Sequence, residues 1–289
     1  MIWIPGLVVL GLLAGKMNLP RWAGWLFVMV LLGAAHCLTI DHDPIVRMVS
    51  ICVVLLAGMK GLVYTVWGGH LPWGRYFIFG LGWFGMDPGS FVSRREGLSW
   101  KDDVLRGVLF MVIGALSAWM VWKSGNRQIL LMFLPMSLGF HFGALRVLKG
   151  GMRKVGFPVR TLFPNLIQTK GIGDFWSRRW NIGYSQMMQR LVGRPFEKSM
   201  GKGAGLMAVF VVSGLLHEVA ITLPVGAGYG LPTLYFVVHG GLVVFERRFG
   251  RAVGKLPALL LVAAPLGVLF PEEFQTEVIA RCLNIFELI

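Results

Sequence analysis

Two short stretches carry the residue types in this chain that can do chemistry. FWSRRWN, Phe175 to Asn181, gathers three aromatic rings, two adjacent arginines and a terminal amide. SGLLHE, Ser213 to Glu218, sets His217 and Glu218 side by side inside an apolar run from about Ala204 to Leu223. An ionisable pair at membrane depth costs several kcal/mol unless it faces protein interior or a wet cavity, so it marks a candidate site. A neutral imidazole can take the proton of a hydroxyl as its oxygen attacks a carbonyl, and His217 suits that task. Ser213, four residues earlier, shares a helix face with His217 and can bond to it or to substrate. Glu218 points about 100° away around the helix. Asn181 offers two donors and an acceptor without charge, enough to position a carbonyl or hold its developing oxyanion. Arg178 and Arg179 present paired donors that match phosphate oxygens.

Each residue also has a plainer reading. Trp176, Trp180 and the two arginines fit an aromatic belt with snorkelling cations. A lone intramembrane histidine is often a packing residue, and the roles of His36, His141 and His239 are left open.

The elements that must position these residues are helices. The chain is 55% hydrophobic and only 15% charged, with a mean hydropathy of +0.67, against about 25% charged for a soluble domain. Its apolar residues come in blocks without the alternation of a β-barrel. The expectation is an all-α, polytopic integral membrane protein, a single domain over 1–289. At about 20 residues each, some eight spans fit, near 2–15, 22–39, 44–66, 104–122, 128–148, 204–223, 230–246 and 256–271. Interfacial amphipathic helices are expected besides, one from Asp174, as N-cap, to about Val192. RYFIFGLGWFG, Arg75 to Gly85, reads as a half-length segment at the interface.

The net charge of +14 sits mainly between apolar blocks, which points to lipid headgroups and topology rather than nucleic acid. Basic connections at Arg75 to Lys101, Lys149 to Lys202 and Arg247 to Lys255 face the cytoplasm by the positive-inside rule, leaving both termini outside. The acidic Asp41 to Asp43 and the uncharged Pro224 to Gly230 then lie outside, as does a net acidic tail after Pro271. The turn with Lys123 and Arg127 dissents. Cys37, Cys52 and Cys282 show no CxxC spacing, so neither a disulfide framework nor a zinc site is implied. The first fifteen residues lack the charged region of a cleaved signal and read as a short first span.

FWSRRWN followed by SGLLHE inside a span resembles the wax-synthase-like branch of the membrane-bound O-acyltransferase family, most strongly over 157–248. GMDPGSF at Gly85 to Phe91 and HFG at His141 to Gly143 look like bacterial members. The resemblance implies a multi-pass enzyme, at home in a bacterial inner membrane, that moves an acyl group from acyl-CoA to the hydroxyl of a lipidic alcohol. Acyl-CoA is then a co-substrate, with no bound cofactor or metal. The family's functional pair falls on His217 and Asn181, with Trp176, Arg178, Arg179, Trp180, Ser213 and Glu218 as substrate-binding candidates. Acyl length, the identity of the alcohol and oligomeric state are not fixed. Two rivals are a haem or metal electron-transfer protein using the histidines, and a lipid transporter, for which no internal repeat is visible.

Overall fold

The computed structural model describes residues 2–126 and 128–284, so Arg127 and the tail beyond Asn284 lie outside the described residues. Within them the chain is helical, without strands. Five helices are long and apolar enough to cross a membrane: α2 (Arg21–Thr39), α3 (Pro44–Trp67), α5 (Lys101–Ser124), α6 (Ile129–Lys154) and α9 (Lys202–Val225). The protein is therefore a multi-pass integral membrane protein.

The other three expected spans are helical but differ from simple crossings. Helix α1 (Ile4–Ala14) rises only about 16 Å. Helix α10 (Leu231–Phe249) ends on three charges, Glu246, Arg247 and Arg248. Helix α11 (Lys255–Leu269) continues after a bend of 85° into α12 (Glu272–Leu283), and counting this pair as one span gives at most six. The half-length segment is α4 (Trp73–Gly82). The amphipathic stretch expected as one helix from Asp174 is two, α7 (172–179) and α8 (182–200), because Asn181 between them is left-handed, with φ of +41°. Asn reaches that conformation more readily than most residues, its short side chain bonding locally.

Two buried charges fix the pieces around the site. Lys60 on α3 is fully buried, and its ammonium donates to the carbonyls of Phe79, Trp83 and Gly85 at 2.7, 2.7 and 2.6 Å. Three donors meet three acceptors, which compensates the burial of charge. The strand of loop it holds packs on α8, where a side chain at Gly183 would come within 3.1 Å of the Gly85 Cα. Glu246, near the end of α10, accepts from the amides of Ile172, Gly173 and Val253 at 3.0, 2.8 and 3.0 Å. The first two are free amides at the start of α7, so a distant carboxylate supplies the cap. A Cβ at Gly171 would lie 2.4 Å from that carboxylate, so only glycine lets it close in.

One molecular face collects the ends near residues 40–47, 223–230 and 271–281. Asp43 pairs with Arg281 at 2.5 Å, which holds its carboxyl below the usual range, and Arg47 donates to the Leu223 carbonyl at 2.9 Å. The acidic and uncharged connections thus share one side, as the charge pattern predicts.

Candidate active site

His217 closes the regular part of α9, and the chain widens into a π turn, Glu218–Thr222, immediately after it. Its Nδ1–H donates to the Ser213 carbonyl at 2.6 Å. A carbonyl can only accept, so the proton is on Nδ1 and Nε2 carries a lone pair. The ring lies against Phe236, centroids 4.3 Å apart, and edge-on to Tyr184 at 5.9 Å.

Asn181 is set by its neighbours on both sides. The Trp180 amide closes the π turn Phe175–Arg179 onto the Phe175 carbonyl, and the Ile182 amide donates to Leu162. The Asn181 side-chain oxygen accepts from the Tyr184 amide at 3.2 Å, capping α8. That use of the oxygen leaves the NH2 end without a partner among the described residues, a pure donor.

Both residues line one cavity of about 350 Å³. Its walls are aromatic: Phe133, Phe163, Trp176, Trp180, Phe210, Phe236 and Phe270 all contribute. Trp180 packs against both Phe163 and His141, and Trp176 against Phe210, Phe236 and His239. Phe236, Val243 and Arg247 of α10 face it at seven- and four-residue steps, so the cavity follows about 16 Å of that helix. The size and the few polar groups in an apolar lining suit a lipid-like ligand.

At its Arg247 end the cavity meets a polar cleft of about 520 Å³, sharing Ser177, Ser185, Gln189 and Leu206 with it. Arg160, Arg190, Arg194, Lys202 and Arg247 line this vestibule, against Asp87 and Glu197. The five cations form no ion pair among the described residues.

The other residues expected at a site are distributed as follows. Trp176, Trp180 and Ser213 line the cavity beside His217 and Asn181. Arg178 is exposed and lines neither cavity nor vestibule, and Arg179 is held by Asp174 and Gln168, both at 3.1 Å. Glu218 lies outside the lining: it accepts from the Thr233 amide and hydroxyl at 2.9 and 2.8 Å and from the Thr222 hydroxyl at 2.8 Å, tying α9 to the start of α10. His141 lines the cavity from a π turn of α6, its Nδ1 3.2 Å from the Ser137 hydroxyl. His36 and His239 do not line it, and among the described residues no three His, Cys, Asp or Glu side chains gather as a metal site would need.

Three kinds of contributor have no motif to announce them. Tyr184 lines the cavity with its hydroxyl buried and without a hydrogen-bond partner, Ser213 facing it without completing a bond, and burial pushes its ionisation upward. Glu246 acts through the amides it caps. The vestibule cations are scattered from Arg160 to Arg247, and only the four-residue spacing of Arg190 and Arg194 hints at them in the sequence.

Residues 159–238 match the family described as membrane bound O-acyl transferase. Two Arabidopsis thaliana proteins, "Probable long-chain-alcohol O-fatty-acyltransferase 1" and its counterpart 2, are similar. The first is 27% identical over 157 residues, 46% of this chain and 46% of the relative. The second is 24% identical over 158 residues, 47% of this chain and 46% of the relative. The chain spans about half the length of the curated relatives it matches. The matched segment holds Asn181, Ser213 and His217, and over that segment the chain is similar to the membrane-bound O-acyltransferases.

Proposed function

We propose that this relative of the membrane-bound O-acyltransferases is an enzyme that transfers an acyl group from acyl-CoA to the hydroxyl of a long-chain, lipidic alcohol. The observation that carries the reading is the tautomer of His217. Its Nδ1–H is committed to the Ser213 carbonyl, so Nε2 is the free base in a cavity that also holds a donor-only amide.

The alcohol gives its proton to His217 Nε2 as its oxygen attacks the thioester carbonyl carbon. The carbonyl oxygen takes up negative charge, and the Asn181 NH2 stabilises it. The tetrahedral species collapses, the C–S bond breaks, and the proton on Nε2 passes to the departing thiolate. Ester and free thiol leave with atoms balanced and the histidine restored.

The vestibule supports a polyanionic donor. Its five cations, Arg160, Arg190, Arg194, Lys202 and Arg247, match the phosphates of CoA better than Arg178, which is exposed elsewhere, or Arg179, already engaged. The acyl chain then runs from the vestibule into the aromatic cavity, and the alcohol, soluble only in the bilayer, meets it at His217.

The test is thiol release by purified protein given palmitoyl-CoA with hexadecanol. Alcohol-dependent release of CoA, with ester recovered in equal amount, is the expected result. Release independent of the alcohol, or none across short and long acyl-CoAs and alcohols, overturns the reading.

A further inference from the structure

A second basic hollow lies beside the vestibule and does not open on the reaction cavity. It encloses about 350 Å³ and is lined by Arg21 at the start of α2, Trp67 at the end of α3, and Arg190, Arg194 and Lys198 of α8. No carboxylate lines it. None of the four cations makes an ion pair or a hydrogen bond among the described residues, and the Nη1 nitrogen of Arg190 is buried without a partner.

Cations that only set topology are satisfied by water. These are not all so placed. Arg190, Arg194 and Lys198 recur at four-residue spacing, where like charges repel, and a guanidinium nitrogen cut off from water without an acceptor is costly. The arrangement is stable once an anion with several oxygens sits among them.

The surroundings say what kind of anion. From Arg21 the outer face of α2 continues as Trp22, Leu26, Met29 and Val30, which are 72%, 58%, 54% and 59% exposed. Tryptophans at the ends of α2 and α3 mark headgroup depth. A phosphate held at the hollow therefore has an apolar track leading from it into the bilayer. We propose that this hollow seats the phosphodiester of an anionic phospholipid whose chains lie along α2. The hollow shares Arg190 and Arg194 with the vestibule, so the test is placed on Arg21 and Lys198, which line the hollow alone, and its first readout is lipid retention rather than turnover.

The experiment compares the protein with the double variant Arg21→Gln/Lys198→Gln, neither position lining cavity or vestibule. Both are purified, incubated with phosphatidylcholine vesicles containing phosphatidylglycerol, and retained lipid is measured by native mass spectrometry. Each lost cation should weaken retention of phosphatidylglycerol about fivefold, while phosphatidylcholine is unaffected. The conservative Arg21→Lys/Lys198→Arg variant should keep it. Equal retention by wild type and the Gln variant overturns the proposal. So does displacement by inorganic phosphate at concentrations matching the lipid, which marks a free-phosphate site. A raised KM for acyl-CoA in the Gln variant overturns it too, since the hollow would then hold the nucleotide end of the donor.

Discussion

At the residue scale the site rests on two hydrogen bonds that each spend one end of a side chain and leave the other. The Ser213 carbonyl holds His217 Nδ1, and the Tyr184 amide occupies the Asn181 oxygen. His217→Ala should lower kcat by about two orders of magnitude or more, the scale of lost general-base catalysis, with folding intact. Asn181→Ala should lower kcat by ~10², with the KM for acyl-CoA little changed, because an oxyanion donor acts in the transition state. Steady-state kinetics on both variants check this, and near-normal turnover in a folded His217→Ala protein rejects the base. The sequence singles out both residues through short motifs, and the structure brings them to one cavity. Tyr184 is not singled out, since a tyrosine three residues past a motif looks like any interfacial aromatic until the fold brings its ring against His217.

At the element scale, short helices are aimed by groups far away in sequence. Glu246 caps α7 from the end of α10, and Lys60 holds residues 79–85 under α8. Glu246→Ala strands buried amides that each cost about 1–3 kcal/mol, so a thermal melt in detergent should show clear destabilisation. Activity should fall with it, because α7 and Asn181 lose their anchor; an unchanged melting temperature refutes this part. The vestibule is built likewise, from loop, α8, α9 and α10. Arg190→Gln/Arg247→Gln should raise the KM for acyl-CoA far more than that for the alcohol, as added salt should. Arg178→Gln should do neither, and the opposite pattern in the same kinetics would return the donor to FWSRRWN. Helical periodicity marked where the long helices lie, but not the break at Asn181. Whether an Asn between two helical segments caps or continues is decided by what the ends touch, here Leu162 and Tyr184.

At the scale of the whole molecule, charge sorts the connections. Asp43, Arg281 and the 223–230 turn meet on one face, while Arg160, Arg190, Arg194, Lys202 and Arg247 meet elsewhere, at the far end of α10. The positive-inside rule predicts that the vestibule faces the cytoplasm. Single cysteines in a background without Cys37, Cys52 and Cys282, treated with an impermeant reagent from outside, should label at Gly228 and not at Ser177. The reverse result inverts the molecule. That the Asp41 to Asp43 connection, the Pro224 to Gly230 connection and the tail after Pro271 share one side could be read from the sequence, since residue type sorts them together. The number of full crossings could not, because the bend between α11 and α12 depends on packing around Pro271.

The aromatic pair at the other end of the cavity then takes on a second meaning. Phe133 and Phe270 approach to 5.4 Å between centroids, and the next residue, Pro271, packs at Gly228, beyond the end of α10 opposite Arg247. If a water-soluble donor reaches into the bilayer through this cavity, half a pore is open, and these two rings at its other end would be the plug. Proteoliposomes carrying Phe133→Ala/Phe270→Ala should lose an imposed pH gradient faster than wild type, followed with an internal pH-sensitive dye. An unchanged decay would place the seal in some other layer of the wall.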